Sequence, residues 1–322
     1  MDILQPLYVY PDKLLIINHK HNLYTQHLPN MDKYQEALAA SSVLSNDEAV
    51  KAEVKKITDH AADYATEDVY RFLFSSIDLT TLSSEDSQRS VAAFTQRVND
   101  FDNDHPDIKN VAAICVYSNF AEVVKTTLDV PGVDIAVVAG GFPSSQTFTS
   151  VKIADVALAV ADGATEVDVV MNIGMFLDGN YEDLTDELIE MKHNARGAKM
   201  KVILETGALL DCEAIKKASV LALYSDADFI KTSTGKIYPG ASLEAAWVMC
   251  KCIREYYDRT GRKVGFKAAG GVRTPEDALK YYAIVKEVLG DEWLCHDLFR
   301  IGASSLANAI LGKITGHEEK YF

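Results

Sequence analysis

From residue 77 onward the sequence repeats one unit, a short apolar strand followed by a helical segment. Strands are expected over 77–82, 111–117, 133–139, 166–171, 200–206, 228–233, 264–269 and 298–303, which makes eight. Helical patterns run between them, over 91–98, 151–161, 181–194, 213–224, 243–257 and 275–289. Strand and helix alternating about eight times is the pattern and size of an α/β fold of the (β/α)8 TIM-barrel type. A doubly wound sheet with a dinucleotide site is the main competitor. It predicts a GxGxxG turn after the first strand, and these turns lack one.

Within this pattern Phe229-Ile230-Lys231-Thr232-Ser233-Thr234-Gly235 sets a lysine inside a short apolar strand. Desolvating an ammonium is costly, so a buried lysine tends to shed its proton and become a nucleophilic amine. A lysine at a strand end that snorkels to water is the plainer reading of the local pattern. Strand parity bears on the choice, because alternate residues of a barrel strand point to the axis and to the helices. Val167, Val169 and Met171 make one set, leaving Asp168 inward; Val264, Phe266 and Ala268 make another, leaving Lys267 inward. Ile230 and Thr232 can face the helices while Lys231 faces the interior. Three ionisable groups thus converge near the C-terminal rim, where barrel active sites lie, although a structural ion-pair network has the same signature.

Two ammonium groups about 4 Å apart at an effective dielectric near 20 repel by roughly 4 kcal/mol, or about three pKa units. One lysine is then neutral near pH 7 and can attack a carbonyl, forming an iminium ion that permits cleavage of a neighbouring carbon-carbon bond. Asp168 can move the protons. Gly235-Lys236 follows the sixth strand, Gly270-Gly271 the seventh and Gly302-Ala303-Ser304-Ser305 the eighth. Glycine backbone, a lysine and serine hydroxyls in those loops suit a phosphate group.

Upstream, Asn46 is an N-cap before Val50, Val54, Ile57 and Ala61, and Thr66 precedes Glu67, Asp68 and an apolar face, so residues 31–75 read as helices capping one end of the domain. Residues 1–30 do not resemble the rest of the chain and are expected to lie outside the core fold, with Met31 a candidate initiator. Their apolar clusters are too short to span a membrane and carry neither a secretory cleavage pattern nor arginine for a mitochondrial signal. A net charge of −15 argues against nucleic acid as a partner. Five scattered cysteines (Cys115, Cys212, Cys250, Cys252 and Cys295) point to a reducing, cytoplasmic setting rather than a disulfide framework. The histidines show no metal-ligand spacing. Glu205, at a strand end, reads as a hydrogen-bonded structural acid or a substrate contact.

The segments Ile77-Asp78-Leu79-Thr80-Thr81-Leu82, Ala113-Ile114-Cys115-Val116-Tyr117, Glu166-Val167-Asp168-Val169-Val170, the stretch 229–236, Val264-Gly265-Phe266-Lys267 with Ala269-Gly270-Gly271-Val272-Arg273-Thr274, and Gly302-Ala303-Ser304-Ser305 occur in the order in which they occur in deoxyribose-phosphate aldolases. The chain resembles that family over roughly residues 70 to 316. The resemblance implies a class I aldolase with no metal or other cofactor, reversibly splitting 2-deoxy-D-ribose 5-phosphate into D-glyceraldehyde 3-phosphate and acetaldehyde. It implies that Lys231 forms the Schiff base, that Lys267 depresses its pKa and that Asp168 relays protons. Gly235, Lys236, Gly270, Gly271, Ser304 and Ser305 match the phosphate pocket, and Asp78, Thr80 and Cys115 match positions lining the substrate side; Cys115 also reads as a small core residue. The segment Lys267-Ala268-Ala269 has alanine where many members have proline, which bears on loop stiffness. Tyr321 is one place short of the terminal tyrosine that assists proton transfer in some relatives. The domain plan is an extension (1–30), N-terminal helices (31–75), a catalytic barrel (76–316) and a tail (317–322). A homodimer is left open, since the sequence does not determine oligomeric state. Two alternatives stay open: a Schiff-base aldolase for another phosphorylated substrate, and a non-catalytic phosphate-ligand-binding barrel.

Overall fold

The computed structural model describes residues 31–322; the extension expected at 1–30 lies outside them. Eight parallel strands close on themselves: β1 (Ile77–Thr80), β2 (Ala113–Tyr117), β3 (Asp134–Ala139), β4 (Glu166–Val170), β5 (Lys199–Ile203), β6 (Phe229–Lys231), β7 (Gly265–Ala269) and β8 (Phe299–Ala303), with β8 pairing back to β1. The helices are α1 (Met31–Ala39), α2 (Asp47–Thr58), α3 (Glu67–Phe74), α4 (Gln88–Asp104), α5 (Ala121–Thr127), α6 (Thr149–Ala161), α7 (Ile173–Leu177), α8 (Tyr181–Asn194), α9 (Cys212–Leu223), α10 (Leu243–Thr260), α11 (Pro275–Leu289) and α12 (Leu306–Thr315). The (β/α)8 barrel expected from the repeat is the observed fold, and the six helical patterns correspond to α4, α6, α8, α9, α10 and α11.

Closure leaves each strand buried on both faces, so both residue sets are excluded from water. The outward set packs under the helices: Leu79, Ile114, Val137, Val167, Val169, Val202, Ile230, Phe266 and Ile301 all belong to one continuous apolar cluster. The inward set divides. Between β2 and β3 it is a small apolar patch of Ala113, Cys115, Ala136 and Val138. Elsewhere it is largely ionic, with the Phe229 ring among the charges, facing Lys201 and Arg300. β1, β4, β5 and β6 end before their expected runs do, at the C-terminal rim, whereas β2, β3, β7 and β8 end where expected and start one or two residues late.

The N-terminal helices start where capping chemistry puts them: the Asn46 side chain accepts from the Ala49 N–H and the Thr66 side chain from the Val69 N–H. α1 packs on α9, α2 on α10 and α11, and α3 on α12, so together they cover the flank from α9 to α12. Among the described residues no helix is long and apolar enough to cross a membrane.

Candidate active site

Lys231 ends β6, Lys267 stands opposite it on β7, and Asp168 is the middle residue of β4. β4 is not a neighbour of β6 or β7 in the sheet, so only closure of the barrel brings the three together. The Nζ atoms of Lys231 and Lys267 both donate to Asp168 Oδ2, each at 2.8 Å. Lys267 donates as well to Asp78 on β1. On the far side of Asp168, Lys201 of β5 donates to Oδ1 at 3.0 Å and to Glu166. Arg300 of β8 reaches Asp78 Oδ1 at 2.6 Å, Glu166 Oε1 at 2.9 Å and Asp134 Oδ2 at 3.1 Å. Glycine at position 302 makes room for this packing: a Cβ there would lie 3.1 Å from Lys267 Cε, tighter than a buried methyl and methylene normally sit.

Electrostatics separate the two lysines. Burial lowers the Lys231 amine and Lys267 lowers it further, while Asp168 alone among the carboxylates opposes them, so it falls below its ordinary value. Burial would lower Lys267 too, but Asp168 and Asp78 together outweigh it and hold that ammonium above its ordinary value. Burial would raise the Asp168 carboxyl; Lys201, Lys231 and Lys267 overcome this and keep it well below the carboxylate range. Asp78 is held down in the same way, by Lys267, Arg300 and Lys201. Charge balance points in the same direction. Four cationic side chains (Lys201, Lys231, Lys267 and Arg300) surround three fully buried carboxylates (Asp78, Glu166 and Asp168). With Lys231 neutral the fully buried groups are three against three, the partly exposed Asp134 lying at their edge beside Arg300, and an unbalanced buried charge is costly. Desolvation is the larger cause of the Lys231 shift and repulsion by Lys267 the smaller, the reverse of the emphasis that a Coulomb argument from the sequence gives.

Above this cluster a cleft of about 280 Å³ opens at the C-terminal rim. Lys231 and Thr80 line its floor, and Gly235, Lys236, Gly270, Gly271, Ser304 and Ser305 line its wall together with Thr234, Val272 and Arg273. The backbone N–H groups of Gly235, Gly271 and Ser304 donate to no protein acceptor among the described residues, and α12 begins directly after Ser305. Free amides, a helix N-terminus and Lys236 give one wall of the cleft hydrogen-bond donors and positive charge of the kind that suits an anion. Lys236 spans the opening and donates to the Leu82 carbonyl.

Of the residues singled out in the sequence, Lys231, Lys267 and Asp168 are brought together, and the six glycine, lysine and serine positions line one cleft with Thr80. Asp78 is sealed beneath Lys267 rather than open to the cleft. Cys115 is buried in the small apolar patch of β2 and β3, where burial pushes its thiol up. The Tyr321 hydroxyl donates to Asp104 at 2.7 Å, and its ring packs on Phe101 and His105, at the end of α4 that leads back toward β2. Sequence reasoning missed Lys201, Glu166 and Arg300. Parity carried through β5 and β8 would have found Lys201 and Arg300, since Met200 and Val202 flank Lys201, and Phe299 and Ile301 flank Arg300; Glu166 is two residues before Asp168 on β4 and so shares its inward face. Among the described residues no group of three or more His, Cys, Asp or Glu is arranged to hold a metal ion.

Over residues 72–310 the chain matches the family described as DeoC/LacD family aldolase. It is 43% identical over 252 residues to a deoxyribose-phosphate aldolase of Mus musculus, an alignment covering 75% of this chain and 79% of that protein. Among solved structures, the aldolase QR15 superposes with a TM-score of 0.62 at 29% identity, covering 75% of this chain and 96% of QR15. The fold is shared with a deoxyribose phosphate aldolase from Aeropyrum pernix, whose tetrameric structure is described as unique, at 23% identity and a TM-score of 0.61 over 80% of this chain and 96% of that one.

Proposed function

Because this chain belongs to the deoxyribose-phosphate aldolases, within the DeoC/LacD aldolase family, we propose that it cleaves 2-deoxy-D-ribose 5-phosphate reversibly to D-glyceraldehyde 3-phosphate and acetaldehyde through a Schiff base on Lys231. The observation that carries the reading is a lysine whose pKa burial lowers, at the floor of a cleft whose wall suits an anion. The neutral Lys231 amine attacks the C1 aldehyde of the open-chain sugar; loss of water gives an iminium ion. Removal of the proton from the C3 hydroxyl breaks the C2–C3 bond, and the electron pair moves into the iminium to give an enamine while glyceraldehyde 3-phosphate leaves. Protonation of the enamine at C2 and hydrolysis then release acetaldehyde and restore the amine. Asp168, bonded to both lysines, is the group through which protons pass, and Lys267 stays charged beside the developing iminium. Gly235, Lys236, Gly270, Gly271, Ser304 and Ser305 hold the 5-phosphate.

The direct test is glyceraldehyde 3-phosphate release from 2-deoxyribose 5-phosphate, with and without a chelator, and borohydride trapping in the presence of acetaldehyde. Release unaffected by the chelator, with an adduct on Lys231, is the expected result; no adduct would reject the mechanism. A sharper prediction concerns Lys267→Met. Removing that charge relieves the repulsion on Lys231 and leaves Asp168 to hold the Lys231 proton, so its pKa rises. The amine is active only when neutral, so the acid limb of the kcat/KM profile moves to higher pH, by roughly one to three units. A limb that stays in place, or moves to lower pH, would remove Lys267 from its role.

A cytoplasmic location is supported by five cysteines with no disulfide among them, four buried. A homodimer is supported by Phe148, Val151 and Leu158, exposed along one face of α6 and its N-cap. Sedimentation should report twice the 35.4 kDa chain mass, and Val151→Lys should return a monomer; an unaltered monomer in the wild type rules the dimer out.

A further inference from the structure

Glu205 lies just past β5, fully buried, with its backbone in the left-handed region at φ 51° and ψ 58°. That conformation is uncommon for a residue with a side chain and persists only where the surroundings enforce it. Here they do. The Leu204 N–H donates to the Lys231 carbonyl and the Thr206 N–H to the Thr232 carbonyl, both at 2.9 Å, lacing the end of β5 to the end of β6 on either side of Glu205. A Cβ at Gly207 would lie 2.3 Å from the Pro239 carbonyl oxygen, so this turn rests directly on the loop that follows β6.

The Glu205 carboxylate joins no ion pair among the described residues. Both of its oxygens serve Thr234: Oε1 accepts from the Thr234 backbone N–H at 3.1 Å, and Oε2 from the Thr234 hydroxyl at 2.5 Å. A hydroxyl has one proton to give, and this one is committed to the carboxylate. The Thr234 oxygen is therefore oriented to accept the Lys236 N–H, which it does at 3.2 Å. The chain of contacts runs from a buried acid, through Thr234, into the turn that carries Gly235 and Lys236 on the wall of the cleft. A negative charge so close to an anion receptor is counterproductive unless it serves to fix geometry, and its hydrogen bonds show which geometry it fixes.

We propose that Glu205 is a positioning residue whose carboxylate, acting through Thr234, holds the Gly235–Lys236 turn in the conformation that receives the substrate's phosphate. The proposal rests on the phosphate-ester substrate proposed for this cleft and adds to it the group that shapes the receptor. In Glu205→Gln the amide offers one acceptor where the carboxylate offers two. The KM for 2-deoxyribose 5-phosphate should rise about tenfold with little change in kcat. The kcat/KM for unphosphorylated 2-deoxyribose and the rate of borohydride trapping with acetaldehyde should stay at wild-type values, which a merely structural defect would not spare. Thr234→Val, isosteric and lacking the hydroxyl, should reproduce the KM effect, and the double variant should be no worse than the poorer single one. Equal losses on both substrates, an unchanged KM, or additive losses in the double variant would overturn the proposal. Should Glu205→Gln fail to fold, Thr234→Val alone decides it by the same KM comparison. If the wild type gives no borohydride adduct, the reaction reading falls by itself. Titration with inorganic phosphate then still decides the role of Glu205: about tenfold weaker binding in the variant is expected, and equal binding overturns it.

Discussion

Replacing Lys231 with alanine should lower aldolase turnover by about 10³-fold or more and abolish the borohydride adduct formed with acetaldehyde. The lysine supplies the covalent electron sink, and no neighbour can substitute for it. Lys267 is the nearest amine, but two carboxylates hold it protonated and it is sealed from the cleft. Lys201 is farther from the cleft and likewise charged, because Asp168, Glu166 and Asp78 overcome its burial. The fold should survive, since Asp168 keeps its bonds to Lys201 and Lys267 and Lys231 is the lysine of the cluster whose ammonium burial disfavours. Thermal melting alongside the activity assay separates the two effects. A variant that keeps its melting temperature and more than about a tenth of the activity would eliminate Lys231 as the nucleophile.

Arg300→Met should have the largest effect on stability. Its guanidinium is fully buried and bonds Asp78, Glu166 and Asp134, so its loss leaves Asp78 to Lys267 and Glu166 to Lys201, with one cation too few for the buried carboxylates of the barrel interior. Removing one partner from a buried ionic cluster costs about 3–5 kcal/mol, a large part of the whole stability of a domain. Urea unfolding monitored by circular dichroism measures the loss directly. Adding Glu166→Gln removes the excess negative charge and should restore part of the loss; a single variant destabilised by less than about 1 kcal/mol would reduce the cluster to a surface-like contribution. Function should shift with stability. With one cation gone the interior favours a protonated Lys231, so the acid limb of the activity profile should move to higher pH, as in Lys267→Met.

Legibility in the sequence followed the strength of the physical signal. Lys231, Lys267 and Asp168 stood out because each interrupts a hydrophobic alternation, and a charge in such a position needs a reason. Lys201 and Arg300 interrupt their strands in the same way and were legible by the same rule. Asp78 was read from family resemblance as a substrate-side residue, and its burial beneath Lys267 could not be read from β1 alone, because depth along a barrel axis depends on the stagger between strands. The role of Glu205 was equally invisible. A left-handed glutamate leaves no mark on local composition, and its partner Thr234 lies on a different strand's loop.

The order of strands and helices, the closed barrel, the inward direction of the two lysines and the glycine and serine turns follow from periodicity and residue chemistry, which are local properties that a linear sequence carries in full. Which lysine gives up its proton more readily does not follow from them. Lys231 and Lys267 are both strand lysines facing one interior, and the difference is that one shares a single carboxylate while the other shares two. That count depends on carboxylates contributed by β1 and β4 across the barrel. Electrostatic energy in a desolvated interior is a sum over neighbours in space, and only the closed fold determines who the neighbours are.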